Sequence, residues 1–202
     1  MYTFRGRQRV HCRKSIHFLV EKRRGEIHMN TKTLVSIAML LGIGTALHFI
    51  IPGYLLMKPD MMLLMMFLAI ALFPEKKNVF VIALGCGLLS AMTTSFPGGQ
   101  IPNIIDKFVT AFLFYFLIVT FKKVSTNVAG LVGLTVIGTL ISGVVFLGSA
   151  YLIAGLPKSF VLLVGGVVVP AMAANAIVMA IIYPIIAKIL KKTSISSASV
   201  EA

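Results

Sequence analysis

The chain alternates between long uncharged apolar runs and short polar connections. The apolar runs cover roughly residues 33–51, 60–73, 78–96, 103–121, 127–153 and 161–190. Such runs predict α-helices, because a membrane barrel would show short strands in which apolar and polar positions alternate. About twenty apolar residues in helical form cross a hydrocarbon core of about 30 Å. The pattern therefore predicts an all-α membrane protein, a bundle of six transmembrane helices. The second run is short and bounded by Pro59 and Pro74, and the sixth is long and interrupted by Pro170 and Pro184. Short or broken spans often lie beside a substrate cavity, and they serve equally as tilted or kinked helices.

The connections set the orientation. Lys32 precedes the first run, Lys76 and Lys77 follow the second, Lys122 and Lys123 follow the fourth, and Lys188, Lys191 and Lys192 close the sixth. The intervening connections carry only Lys58 and Lys158. Lysine-rich connections stay in the cytoplasm, so both termini are expected to be cytoplasmic. The connections near Lys58, Gly98 and Lys158 are then expected to face outward, and the alternation requires an even number of spans.

Composition agrees with a bilayer as the solvent. Hydrophobic residues make up 58% of the chain, mean hydropathy is +0.97, and no polar surface is large enough to face water on all sides. A net charge of +13 would suggest nucleic acid in a soluble chain. Here Arg and Lys sit at the ends of apolar runs or in the first 28 residues, which reads as membrane orientation and not as nucleic-acid binding. Cys12 in a basic segment and Cys86 in an apolar run read as free thiols.

Residues 1–28 differ in composition from everything after them and form a basic extension, either disordered or a mis-assigned start. Lys22-Arg23-Arg24-Gly25 can be encoded by a purine run resembling a bacterial ribosome-binding site upstream of Met29, which would make Met29 the start. The other reading is a cytosolic basic tail drawn to anionic lipid. No signal peptide is read here, since Ile16 to Val20 is a short apolar patch without a small-residue cleavage site. The six-helix domain occupies 29–192, and the Ser-rich 193–202 is expected to be a disordered tail.

The stretch from Ser95 to Lys107 (SFPGGQIPNIIDK) carries the most chemistry. Pro102 suits a helix start, after which Asn103, Asp106 and Thr110 share one face. A carboxylate near the apolar region costs several kcal/mol unless paired or hydrated, so Asp106 is expected to face the bundle interior or a water-filled cavity. There it would meet the ammonium of a solute, while Gln100, Asn103 and the N–H groups of Gly98 and Gly99 serve the solute's carboxylate. The bland reading places Asp106 in the headgroup layer. Lys107 is expected to point elsewhere and snorkel.

Asn175 is the only amide of the sixth run and offers either an acceptor for a ring N–H or an interhelical hydrogen bond. His48 and Tyr151 are weaker candidates, more often packing residues. Lys58 and Asp60 flank Pro59 and read as a solvated pair rather than a gate. Phe96, Phe108, Phe112 and Tyr115 offer rings to a solute or simply face lipid. Small-residue ridges at Ala38, Gly42 and Ala46 and at Ala83, Gly87 and Ala91 allow close helix approach. ATP-binding P-loops, H-E-x-x-H, G-x-S-x-G and metal-spaced acid clusters do not occur, so neither an enzyme nor a cofactor or metal is expected.

The segment from Met29 to Leu47 (MNTKTLVSIAMLLGIGTAL) together with Phe96 to Asn103 (FPGGQIPN) resembles the small bacterial tryptophan transport proteins. These look like relatives of the substrate-binding S components of energy-coupling factor transporters. The resemblance covers about residues 29–192. It implies uptake of tryptophan across the bacterial cell membrane by a multi-pass protein that docks on a transmembrane coupling subunit driven by two ATPases. In that family pattern Ala38, Gly42 and Ala46 would meet the coupling subunit, although Gly42 stands where an alanine is usual. The cavity of such components would select Gln100, Asn103, Asp106, Tyr151 and Asn175. A solitary proton-coupled carrier of an aromatic amino acid or vitamin, and a non-transporting membrane interaction protein, are the competing readings.

Overall fold

The computed structural model describes residues 30–50, 60–125, 127–153, 155 and 159–192. Every element among them is helical. The expectations for 1–28, for the 193–202 tail and for Cys12, Lys58 and Lys158 fall outside the described residues. In chain order the helices are α1 (Thr31–Ile50), α2 (Met61–Leu72), α3 (Lys76–Thr93), α4 (Gln100–Thr120), the single turn α5 (Lys122–Ser125), α6 (Val128–Ile153), α7 (Phe160–Leu163) and α8 (Val169–Lys192). A π-helical stretch, Val164–Val168, joins α7 to α8 without a break.

Four segments, Thr31–Ile50, Gln100–Thr120, Val128–Ile153 and Phe160–Ile189, are long and apolar enough to cross a membrane. The second and third runs are realised differently. α3 begins with Lys76 and Lys77 inside the helix. α2 has 12 residues, about 18 Å of helix, well short of the hydrocarbon thickness.

That short helix is the axis of the bundle. Its sequence, MMLLMMFLAIAL, is apolar all round, and such a helix belongs in an interior. No residue from Met61 to Ile70 is more than 3% exposed. α2 packs on α3, α4, α6 and α8, which follow one another around it, α3 beside α4, α4 beside α6 and α6 beside α8. α1 leans on this assembly through Gly44 against Met65 and Leu41 against Gly85.

Small residues fix the close approaches. Phe67 of α2 stacks on Phe114 of α4 with ring centroids 4.0 Å apart. A Cβ on Gly138 of α6 would stand 2.7 Å from the Phe67 ring and 2.9 Å from that of Phe114. The ridge of Ala83, Gly87 and Ala91 faces inward, with Gly87 against the backbone of Ile104 on α4. The ridge of Ala38, Gly42 and Ala46 faces outward, and all three are exposed.

The change of register in the last span precedes Pro170. Pro170 has no N–H to donate to the Gly166 carbonyl in the α register, and the turn before it, Val164–Val168, is widened into the π register. Pro184 lies within α8, which continues through it.

Candidate functional site

A cavity of about 370 Å3 opens among the helices, within the roughly 300–1,000 Å3 range of small-molecule sites. Its lining comes from one end of each of α1 to α4, from the middle and second half of α6, and from the last span. His48 closes α1, Asp60 and Leu63 open α2, Ser90 closes α3, Asn103 and Asp106 open α4, Ser142 and Leu147 lie in the second half of α6, and Asn175 lies in the first part of α8. All are remote from the paired lysines at 76–77 and 122–123. The shortness of α2 explains the space. Asp60 caps its first turn, with Oδ1 accepting from the Leu63 N–H at 3.0 Å. It stands level with Lys107, seven residues or about 10 Å into α4. α2 therefore starts below the level at which its neighbours end.

The charged part of the lining is one connected cluster. Lys107 Nζ donates to Asp60 Oδ2 at 2.6 Å and to Asp106 Oδ2 at 2.9 Å. Asp106 also accepts from Thr110 on Oδ1 and from Ser142 on Oδ2, each at 2.9 Å. Asp106 and Lys107 are each 1% exposed. Two carboxylates against one ammonium leave one unit of negative charge when all three are ionised. Burying such groups costs several kcal/mol each, which the mutual pairing and the two hydroxyls offset.

The polar part is a relay. Thr139 donates to the Thr135 carbonyl at 2.8 Å, so its oxygen is left to accept, and Asn175 Nδ2 donates to it at 3.2 Å. With Nδ2 held on Thr139, Asn175 Oδ1 remains a buried acceptor without a partner in a residue that lines the cavity. Thr139 and Ser142 are three residues apart on α6, so charge cluster and amide stand about one helical turn apart, some 4.5 Å of rise. Phe96 and Phe146 line the same space, edge to face with centroids 5.5 Å apart.

The residues expected from the sequence divide. Asn103, Asp106 and Asn175 line the cavity together, and His48 joins them. Gln100 and Tyr151 are exposed and stand outside the lining. The Gly99 N–H is engaged by the Phe96 carbonyl at 2.9 Å, so it is not a free donor, and Asn103 Nδ2 donates to the Gly99 carbonyl at 2.9 Å. Lys107 does not snorkel, because two carboxylates hold it inside. Asp60 is not a solvated loop residue for the same reason. Phe108 and Phe112 face outward, and Tyr115 packs against the core.

Sequence reasoning missed Asp60 and Lys107 in these roles, and Ser142, Thr139 and Phe146 altogether. One signal was present. Lys107 is a described lysine far from the lysine-rich ends, and a cation out of place in that pattern needs a partner. Among the described residues no group of three or more His, Cys, Asp or Glu is placed to hold a metal ion.

Comparison with known proteins gives a consistent result. The profile of the family described as "Tryptophan transporter TrpP" matches residues 30–191. A "Probable tryptophan transport protein" of Bacillus subtilis is 55% identical over 172 residues, covering 85% of this chain and 99% of the relative. A protein of the same description from Clostridium acetobutylicum is 42% identical over 82% of this chain and 97% of its own. One from Clostridium perfringens is 39% identical over 84% of this chain and 98% of its own. No solved structure matches.

Proposed function

The chain belongs to the tryptophan transporter TrpP family, and on that premise we propose that it takes up tryptophan through the cavity that opens among its helices. The family is one of transporters, not enzymes. The observation that carries the proposal is the combination within one cavity of a buried carboxylate–ammonium cluster and, one helical turn away, an unpartnered amide oxygen. A zwitterionic amino acid with an N–H on its ring needs those two features. Asp106 and Asn103 serve the head-group end, Asn175 accepts from the indole N–H, and Phe96 and Phe146 flank the ring.

The topology belongs to the same proposal. Six spans cross the cell membrane, α2 and α3 included, with both termini in the cytoplasm. Lysines at 32, 76–77, 122–123 and 188 support this, and with them inside, the cavity opens outward, as capture from the medium requires. α2 then crosses as a half-length helix within the ring of its neighbours.

For energy we propose coupling to a transmembrane subunit and its ATPases, in the manner of a substrate-binding S component. The exposed ridge of Ala38, Gly42 and Ala46 supports it, since among the described residues a Cβ on Gly42 would meet nothing within 4 Å and a partner helix can approach closely there. The competing reading, a solitary proton-coupled carrier, draws on the buried Asp106. Uptake of labelled tryptophan by a strain lacking the coupling ATPases distinguishes them. Loss of uptake supports the coupled component, whereas uptake that persists and follows the proton gradient supports the solitary carrier.

A further inference from the structure

Deepening that reading, and resting on it, we propose that the zwitterionic head group of the substrate takes the place of the Lys107–Asp60 bridge. Its carboxylate binds Lys107 Nζ and its ammonium binds Asp60 Oδ2. Asp106 keeps its bond to Lys107 and acts as the fixed anchor of that cation.

The two carboxylates on Lys107 are unequal, and the inequality decides which one yields. Asp106 accepts from Lys107, Thr110 and Ser142, all at 2.9 Å, and its side chain is 1% exposed. Three of its roughly four lone-pair sites are therefore filled. Asp60 accepts from Lys107 on Oδ2 and from the Leu63 N–H on Oδ1, and its side chain is 31% exposed. Asp60 comes from a different helix and holds Lys107 by one contact. Asp106 lies beside Lys107 on α4 and is locked by hydroxyls from α4 and α6.

Pairing points the same way. A lone cation on Asp60 would cost Lys107 its second carboxylate and a lone anion on Lys107 would cost Asp60 its cation, whereas a zwitterion placed between them supplies a new partner to each. Each buried charge then exchanges one partner for another and none is left unpaired, a condition that buried ions impose strongly. The bridge thus holds both groups in position for ligand charges of the opposite sign. Independent of the charges, Asn175 Oδ1 is buried, unpartnered and part of the same lining, which marks the space as built for a ligand carrying a further donor.

The experiment measures binding of tryptophan, tryptamine and indole-3-propionate to the full chain in lipid nanodiscs, for wild type and Asp60→Asn. Asparagine keeps the capping preference at the start of α2. Wild type is expected to bind tryptophan about 30-fold or more tightly than either analogue, the scale of truncating one partner of a buried charge pair. Asp60→Asn is expected to lose about that factor for tryptophan while binding indole-3-propionate more tightly than wild type, because Asp60 no longer competes for Lys107. Wild type that binds tryptamine as well as tryptophan overturns the inference, whatever the variant does. So does a variant that weakens tryptophan and indole-3-propionate in equal proportion. In both cases tryptophan binding stands and only the exchange fails. Absence of saturable tryptophan binding by wild type overturns the uptake reading itself.

Discussion

Thr139 on α6 holds the amide of Asn175 on α8, its hydroxyl oxygen 3.2 Å from Nδ2, and this one bond determines what the amide shows to the cavity. Because the Thr139 proton is committed to the Thr135 carbonyl, the amide cannot turn without losing its partner. Oδ1 is the group left for a ligand.

If that oxygen accepts from an indole N–H, 1-methyltryptophan binds more weakly than tryptophan by about 1–3 kcal/mol, the cost of an unmade buried hydrogen bond. Asn175→Leu weakens tryptophan by a similar amount and abolishes the preference. Thr139→Val lets the amide turn and narrows the preference while leaving the volume of the site nearly unchanged. Calorimetric titration of the six combinations of protein and ligand checks this. Equal affinities for both ligands in wild type would remove Asn175 from indole recognition.

Removing Lys107 leaves the buried Asp106 carboxylate and the half-buried Asp60 carboxylate without their shared cation. Lys107→Met is expected to destabilise the protein by about 3–5 kcal/mol, as breaking a buried ion pair from one side does. Adding Asp60→Asn to it restores part of the loss, since one of the uncompensated charges is gone. Thermal unfolding of the single and double variants reads the coupling, expected at roughly 0.5–3 kcal/mol for groups in contact.

Gly138 and Gly133 lie on the same helix with opposite surroundings. A methyl at Gly138 meets two aromatic rings at 2.7 and 2.9 Å, and one at Gly133 meets nothing within 4 Å. Gly138→Ala is expected to cost about 1–3 kcal/mol through overpacking. Gly133→Ala is expected to be neutral or to gain up to about 1 kcal/mol in helix propensity. Melting temperatures of the two variants in the same detergent decide it.

A bulky residue on the outer ridge of α1 separates binding from uptake. Gly42→Leu is expected to leave tryptophan binding by the purified protein unchanged, because among the described residues nothing lies within 4 Å of a Cβ at that position. Uptake by cells should fall strongly if a coupling subunit packs there. Unchanged uptake would argue against this face as the docking surface.

The lysine pattern and the apolar runs made most of the helices legible, since hydrophobic length and charge asymmetry act locally along the chain. Asp106 and Asn175 stood out for the same reason, as polar groups in apolar stretches. The central position of α2 was harder to see. Its sequence says only that every face is apolar, which fits a lipid-facing span as well as a buried axis. Lys107 was misjudged because neighbours on a helix point about 100° apart, and the second carboxylate that holds it inside, Asp60, belongs to another helix. Thr139 and Ser142 look like ordinary helix hydroxyls until α4 and α8 are packed against α6.

The most direct test of the account is tryptophan binding to the purified full chain, compared with Asp106→Asn and with phenylalanine as competitor. The account predicts saturable binding that phenylalanine displaces poorly and that the variant loses by tenfold or more, an effect of about 1.4 kcal/mol at least. Well-folded wild-type protein that binds no tryptophan, or binds it equally well without the Asp106 charge, would contradict the assignment of this cavity as the tryptophan site.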